Sequence, residues 1–181
     1  MKNNRFSRKF LSPFSCFAAL AFAAFFSFPA YAVDGLSVEA GSGTGVDMGR
    51  VGVQWKWQKR WFEGAEYHVG GYWDAQLGYW NGASDITDLS LTPTFRLQRN
   101  QGYGLYGEAA IGFHYLSSTN VTPTKQPGSH FEFGDHVGVG YRFGERGRYD
   151  LQLRFQHLSN AGIKHPNPAI NFTILRFQYH F

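Results

Sequence analysis

From residue 35 onward, apolar and polar side chains alternate with a period of two, and the pattern restarts eight times. The segments are about 35–43, 47–57, 66–79, 86–98, 103–116, 130–143, 149–160 and 170–181. In the second, Val51, Val53, Trp55 and Trp57 share one face, and Arg50, Gln54 and Lys56 the other. In the sixth, Phe131, Phe133, Val137, Val139 and Tyr141 oppose Glu132, His136 and Arg142. Strict alternation is the mark of a strand with two unlike faces. No apolar run approaches the roughly 20 residues that a membrane helix needs. The fold class is therefore all-β. Most segments exceed the roughly five or six residues usual for strands of soluble sheets. They suit strands of about ten residues that cross a bilayer at a tilt. Two architectures remain: a secreted sandwich or lipocalin-like barrel, and a closed transmembrane barrel.

The N-terminus bears on that choice. Lys2, Arg5, Arg8 and Lys9 precede a short apolar run, Phe17 to Phe28, and Ala30-Tyr31-Ala32 fits an A-x-A cleavage site. This is the pattern of a secretory signal peptide, so residues 1–32 are set apart and 33–181 form one domain. Four of the 17 basic residues and none of the 13 acidic ones lie in 1–32, leaving 13 of each sign. The basic pI belongs to the signal, and the nearly neutral remainder gives no reason to expect a nucleic-acid partner. The only cysteine, Cys16, leaves with the signal, so no disulfide or thiolate metal site is expected in the exported chain.

Export, long alternating strands and an aromatic last strand ending at Phe181 predict an eight-stranded antiparallel transmembrane β-barrel in the bacterial outer membrane. Eight strands leave an interior filled by side chains. Inward Arg, Glu, Asp, His and Gln then pair with one another, which argues against a pore. An even strand number puts both termini on the periplasmic side. The connections near 42–46, 80–85, 117–129 and 161–169 become extracellular, and the longest, opening Ser117-Ser118-Thr119-Asn120, is expected to be polar and mobile. Among the seven histidines, His68, His114, His130, His136 and His180 are placed inward and His165 in a loop.

His157 alone is placed on the lipid-facing side. Leu151, Leu153, Phe155, His157 and Ser159 share one face of the seventh segment. A polar pair thus ends an apolar stripe where lipid offers no partner. Asp135 interrupts the outward stripe of the sixth segment and Asn171 opens that of the eighth. If Phe143 pairs with Tyr149, Asp135 falls directly across from His157. Pairing Ser159 with Asn171 puts Asn171 within diagonal reach of His157. Asp135, His157, Ser159 and Asn171 then form one patch on three adjacent strands near the outer leaflet. A serine hydroxyl is a weak nucleophile until a base takes its proton, and the base needs a third group to fix its tautomer. Ser159 is read as the nucleophile and His157 as the general base and acid. The backbone N–H groups from Asn160 to Gly162 could receive the oxyanion. A plainer reading stays open, in which these polar groups only rest at the hydrated headgroup boundary.

The run His157-Leu158-Ser159-Asn160-Ala161-Gly162-Ile163-Lys164, followed by Pro166-Asn167-Pro168, resembles the C-terminal motif of the PagL family, outer-membrane lipid A 3-O-deacylases. Phe131-Glu132-Phe133-Gly134-Asp135 is similar to that family's sixth-strand motif. The resemblance implies an eight-stranded barrel whose active site lies outside, toward the outer leaflet. It implies serine-type hydrolysis of the ester-linked 3-hydroxyacyl chain at position 3 of lipid A, with His157 and Ser159 catalytic and no metal or other cofactor. The family has a glutamate as third member where this chain has Asn171. Asparagine can orient a histidine but cannot offset an imidazolium charge. Asn171 is therefore the third member by position, and Asp135 the supporting or alternative acid by charge. The released acyl chain is expected in an external groove lined by Phe131, Phe133 and Phe155. The partners implied are lipid A or lipopolysaccharide as substrate and the surrounding outer-membrane lipids, with a homodimer left open. A structural or adhesion barrel without catalysis, and an acyltransferase, are the rival readings. Lys164 and His165 could meet lipid A phosphates, or simply be solvated.

Overall fold

The computed structural model describes residues 33–181; the signal-peptide reading of 1–32 falls outside the described residues. Eight strands follow in order: β1 (Gly35–Gly43), β2 (Val46–Lys56), β3 (Tyr67–Asn81), β4 (Asp85–Arg99), β5 (Gly104–Leu116), β6 (Phe131–Phe143), β7 (Tyr149–Ser159) and β8 (Ile170–His180). Each bound lies within two residues of the sequence reading. Every strand pairs antiparallel with its sequence neighbours, and β1 pairs with β8 from Gly35↔His180 to Ser42↔Thr173, so the sheet closes on itself. Closure leaves no open edge, which is the condition for a sheet to sit in hydrocarbon.

The direction of the alternation excludes a soluble barrel. Leu151, Leu153 and Phe155 are exposed, while Gln152, Arg154 and Gln156 between them are buried. The wall is thus apolar outside and polar inside, the reverse of a lipocalin-like barrel. Inside, Arg154 meets Glu39 at 2.9 Å and Glu108 at 2.6 Å, and Arg96 meets Glu108 and Asp150 at 3.0 Å each. Asp88 holds Arg50 at 3.1 Å and His114 at 2.9 Å. Charges removed from water are tolerable when paired this closely. Toward the extracellular end the filling changes to apolar: Met48, Trp80, Ile86, Leu158, Phe172 and Ile174 form one cluster. Side chains fill the lumen as the strand number predicts.

The connections depart from the sequence reading in three places. The sequence predicts a mobile loop over 117–129, but the segment is pinned to the rim. Val121 is completely buried in the apolar cluster, Ala83 N donates to Val121 O at 2.8 Å, and Gly128 N donates to Pro166 O at 2.7 Å. Val121 and Pro127, both buried, tuck it in. The alternation places His130 inward, but it precedes β6 and is exposed. Its Nδ1 bonds Leu116 O at 2.6 Å and its ring stacks on Tyr115. The alternation continues the second strand through Trp57, but β2 ends at Lys56 and the 57–66 connection folds back up the outer wall. Trp57 N donates to Gly71 O at 2.9 Å, and Trp61 and Val69 exchange two bonds at 2.8 Å. Trp57 and Trp61 thereby pack on Phe95. At the same end Phe143, Tyr149, Tyr179 and Phe181 form a chain of aromatic contacts. Such belts are usual where a barrel meets the headgroups.

Candidate active site

The short turn after β6 fixes the first half of the site. It carries a 3₁₀ turn, Glu145–Gly147, entered at Gly144 with a φ of 76°. Phe143 then pairs with Tyr149, and the register carries Asp135 directly opposite His157, as the sequence predicts. The second half differs. His157, not Ser159, pairs with Asn171, and Leu158 pairs with Ile170. The slip from the expected register is two residues, so every side chain keeps its face. The ten-residue connection 160–169 simply starts and ends at a different level than the strand pattern alone implies.

The consequence is a tighter contact than expected. His157 Nδ1 and Asn171 Oδ1 are 2.7 Å apart. With the amide oxygen accepting, Nδ1 carries the proton and Nε2 keeps a bare lone pair. Asp135 is exposed on the opposite flank of the ring, and among the described residues it forms no ion pair with His157. The imidazole therefore lies in one cross-strand row, Asn171–His157–Asp135, with an amide on one side and a carboxylate on the other. Ser159 follows two residues after His157 on the same outer face, and Ser159, His157 and Asn171 are all half-buried.

Asn171 is itself held from across the closure of the barrel. Its N–H donates to Thr44 Oγ1 at 2.8 Å, and Thr44 Oγ1 donates to its carbonyl oxygen at 3.1 Å. Thr44 lies in the β1–β2 turn with a φ of 55°. The turn comes this close because residue 43 is glycine: a Cβ there would overlap Asn171 O. Nothing in the sequence pattern pointed to Thr44, which is 127 positions from Asn171.

The turn after Ser159 is organised by two asparagines. Asn160 Oδ1 accepts from Gly162 N at 3.1 Å, and its Nδ2 donates to Lys164 O at 2.9 Å. Asn160 N in turn donates to Asn167 Oδ1 at 2.9 Å. Both N–H groups expected to receive an oxyanion are thus occupied by side-chain amides in this state. Asn167 stood in the motif without a role; its amide oxygen is what ties the two arms of the loop. Ala161 and Gly162 are both left-handed, with φ of 53° and 77°.

Of the three expected groove residues, Phe133 faces Ser159 across the β6–β7 pair. Phe131 packs edge-on against it at 5.2 Å, and Phe113 lies 5.9 Å from both. Phe155 instead borders a separate external groove of about 500 Å³ that opens at His157 and Asp135. Among the described residues no cluster of His, Asp or Glu has the geometry of a metal site.

Comparison with known proteins gives a consistent result. The sequence family described as Lipid A 3-O-deacylase (PagL) matches residues 47–180. The lipid A deacylase PagL of Pseudomonas aeruginosa is 34% identical over 125 residues, covering 67% of this chain and 70% of that protein. The lipid A deacylase PagL of Bordetella bronchiseptica is 40% identical over 96 residues, 53% of this chain and 51% of that one. A solved structure described as the outer membrane enzyme PagL superposes with a TM-score of 0.73 at 31% identity, over 81% of this chain and 99% of that one. The match begins in β2 and runs to the last strand, through both motifs and the row that crosses them, and the chain belongs to the lipid A 3-O-deacylase (PagL) family of the bacterial outer membrane.

Proposed function

We propose that this barrel hydrolyses the ester-linked 3-hydroxyacyl chain at position 3 of lipid A, using Ser159 as nucleophile, from the outer leaflet. The observation that carries the reading is the 2.7 Å contact between His157 Nδ1 and Asn171 Oδ1 on the lipid-facing wall, with Ser159 beside it. A buried histidine bonded inside the barrel would be structural; this one is aimed into lipid, where its free nitrogen has no structural use.

Ser159 Oγ attacks the ester carbonyl carbon while His157 Nε2 takes the hydroxyl proton. The tetrahedral intermediate collapses, the sugar oxygen leaves, and the imidazolium returns the proton to it. Water then repeats the sequence on the acyl-serine, with His157 again base and then acid, releasing the fatty acid. Asn171 fixes the tautomer. It cannot offset the imidazolium charge, and Asp135 on the other flank supplies a negative charge instead. Directly opposed side chains in a sheet have their Cβ atoms about 5 Å apart, close enough for that interaction in lipid. For Asn160 and Gly162 to serve as oxyanion donors, the developing charge must displace the amide oxygens they now hold. No metal or other cofactor enters this sequence of steps.

The test uses the purified barrel in detergent with lipid A and reads products by mass spectrometry. Loss of one 3-hydroxyacyl group, abolished in Ser159→Ala, is the expected result. An intact product from a correctly folded parent would leave the patch as a headgroup contact only.

A further inference from the structure

The groove that opens beside the site has a definite direction and a definite end. One wall is the cross-strand row Phe155, Val137, Ala109 and Phe95. The other is His157, Asp135, Ile111 and Pro93, from β7 across to β4. His157 lies two residues from the extracellular end of β7 at Ser159, whereas Pro93 lies eight residues below the start of β4 at Asp85. The groove therefore slopes from the rim toward the middle of the membrane. Among the outward side chains that line it, the polar ones, His157 and Asp135, stand at the upper mouth; the rest is apolar.

Two residues keep the groove open midway. Ala109 has no side chain to fill it. Pro93 cannot donate a backbone bond, and the β4–β5 ladder is interrupted between Leu91↔Phe113 and Thr94↔Ala110. At the lower end stands Phe95. It is not a loose side chain: Trp57 packs edge-on against it at 5.0 Å and Trp61 lies at 5.9 Å, both delivered by the folded-back β2–β3 connection. The ends of the groove are three interstrand spacings apart, about 14 Å, the reach of an extended chain of roughly ten to twelve carbons.

We propose that this groove seats the acyl chain that is cleaved, and that Phe95, braced by Trp57 and Trp61, is the stop that sets the preferred chain length. The inference rests on the esterase reading above. A second, larger furrow of about 720 Å³ runs parallel, higher on the wall, from Phe131 and Phe113 past Leu91, Ala75 and Val53, and includes neither His157 nor Asp135. It begins beside Phe133, which faces Ser159, and is the rival seat for the chain: an altered length profile in Ala75→Phe would put the chain there and overturn the proposal.

The experiment measures cleavage rates on lipid A-type esters whose 3-hydroxyacyl chains range from ten to sixteen carbons. Wild type is expected to favour chains up to about twelve carbons, with a drop of about tenfold or more beyond, the discrimination a closed apolar pocket gives per misfit. Phe95→Ala should remove that drop. Ala109→Phe should cut rates on all these chains, and Ala75→Phe in the second furrow should leave the profile as it was. Folding of each variant is checked by its resistance to unfolding in SDS; Phe95→Ala, which adds no bulk to the wall, carries the test if Ala109→Phe does not fold. A wild type indifferent to length, or Phe95→Ala with the wild-type profile, overturns the length stop while leaving the esterase intact. A wild type that cleaves none of the esters sinks both.

Discussion

The two faces of β6 and β7 carry polar residues at alternate positions, yet the faces treat them differently. Inward, Arg154 has carboxylates at 2.6 and 2.9 Å, and His136 has Glu108 at 3.4 Å. Outward, on the same two strands, His157 has a single amide partner, and Asp135 stands exposed with no ion pair among the described residues. Most inward charges are paired and hold eight strands around a filled lumen; Glu132, at the extracellular end of β6, is buried without a hydrogen-bond partner. The outward ones are left incomplete, and an incomplete polar group on a lipid-facing wall is open to a substrate. Polarity in a membrane barrel therefore has two meanings, separated by one step along the strand.

The sharpest break in that comparison comes from Ser159→Ala, which should reduce lipid A deacylation by about a thousandfold or more while leaving barrel stability unchanged. Residual activity above a tenth of wild type would remove Ser159 from the chemistry. The inward counterpart is Glu108→Ala, which takes one close carboxylate from each of Arg96 and Arg154 and leaves an uncompensated buried charge. Its cost should be about 3–5 kcal/mol, seen as a lowered urea midpoint for the refolded barrel. Little change would mean that water or a neighbour replaces the carboxylate. Next, Asn171→Ala should lower kcat by about a hundredfold, because His157 loses the group that fixes its tautomer. Asn171→Glu should do the reverse and raise kcat by about tenfold, since a carboxylate also offsets the imidazolium charge. If Asn171→Glu gains nothing, the charge supplied by Asp135 is by itself sufficient. The smallest effect is expected from Asp135→Asn, a loss of about fivefold with an unchanged KM; an effect as large as that of Asn171→Ala would reverse the ranking of the two.

Much of this was legible because alternation is read residue by residue. The strand bounds, the outward placement of His157, Ser159, Asp135 and Asn171, and the pairing of Asp135 with His157 all follow from period two and one short turn. The pairing of His157 with Asn171 was not, because a ten-residue connection does not fix a register to better than an even number of residues. Thr44 was hidden for a different reason: its contact exists only once β1 meets β8, and closure has no local signature. The fold-back of Trp57 and Trp61 was missed because the alternation continues through Trp57, and what ends β2 there is a contact with Phe95 on β4. Val121 was the one available sign that the long loop is anchored, a lone apolar residue in a polar stretch.

The bond pair between Thr44 and Asn171 spans the seam where the first and last strands meet. A chain in transit to the outer membrane already carries Ser159 and His157, but it has no seam and therefore no rim to hold Asn171 in place. On the proposed chemistry the hydrolase is armed by its own insertion: lipid cleavage begins when the cylinder shuts. A precursor or half-assembled intermediate would then be harmless to the lipids it passes, and the appearance of deacylated product would time the last step of assembly.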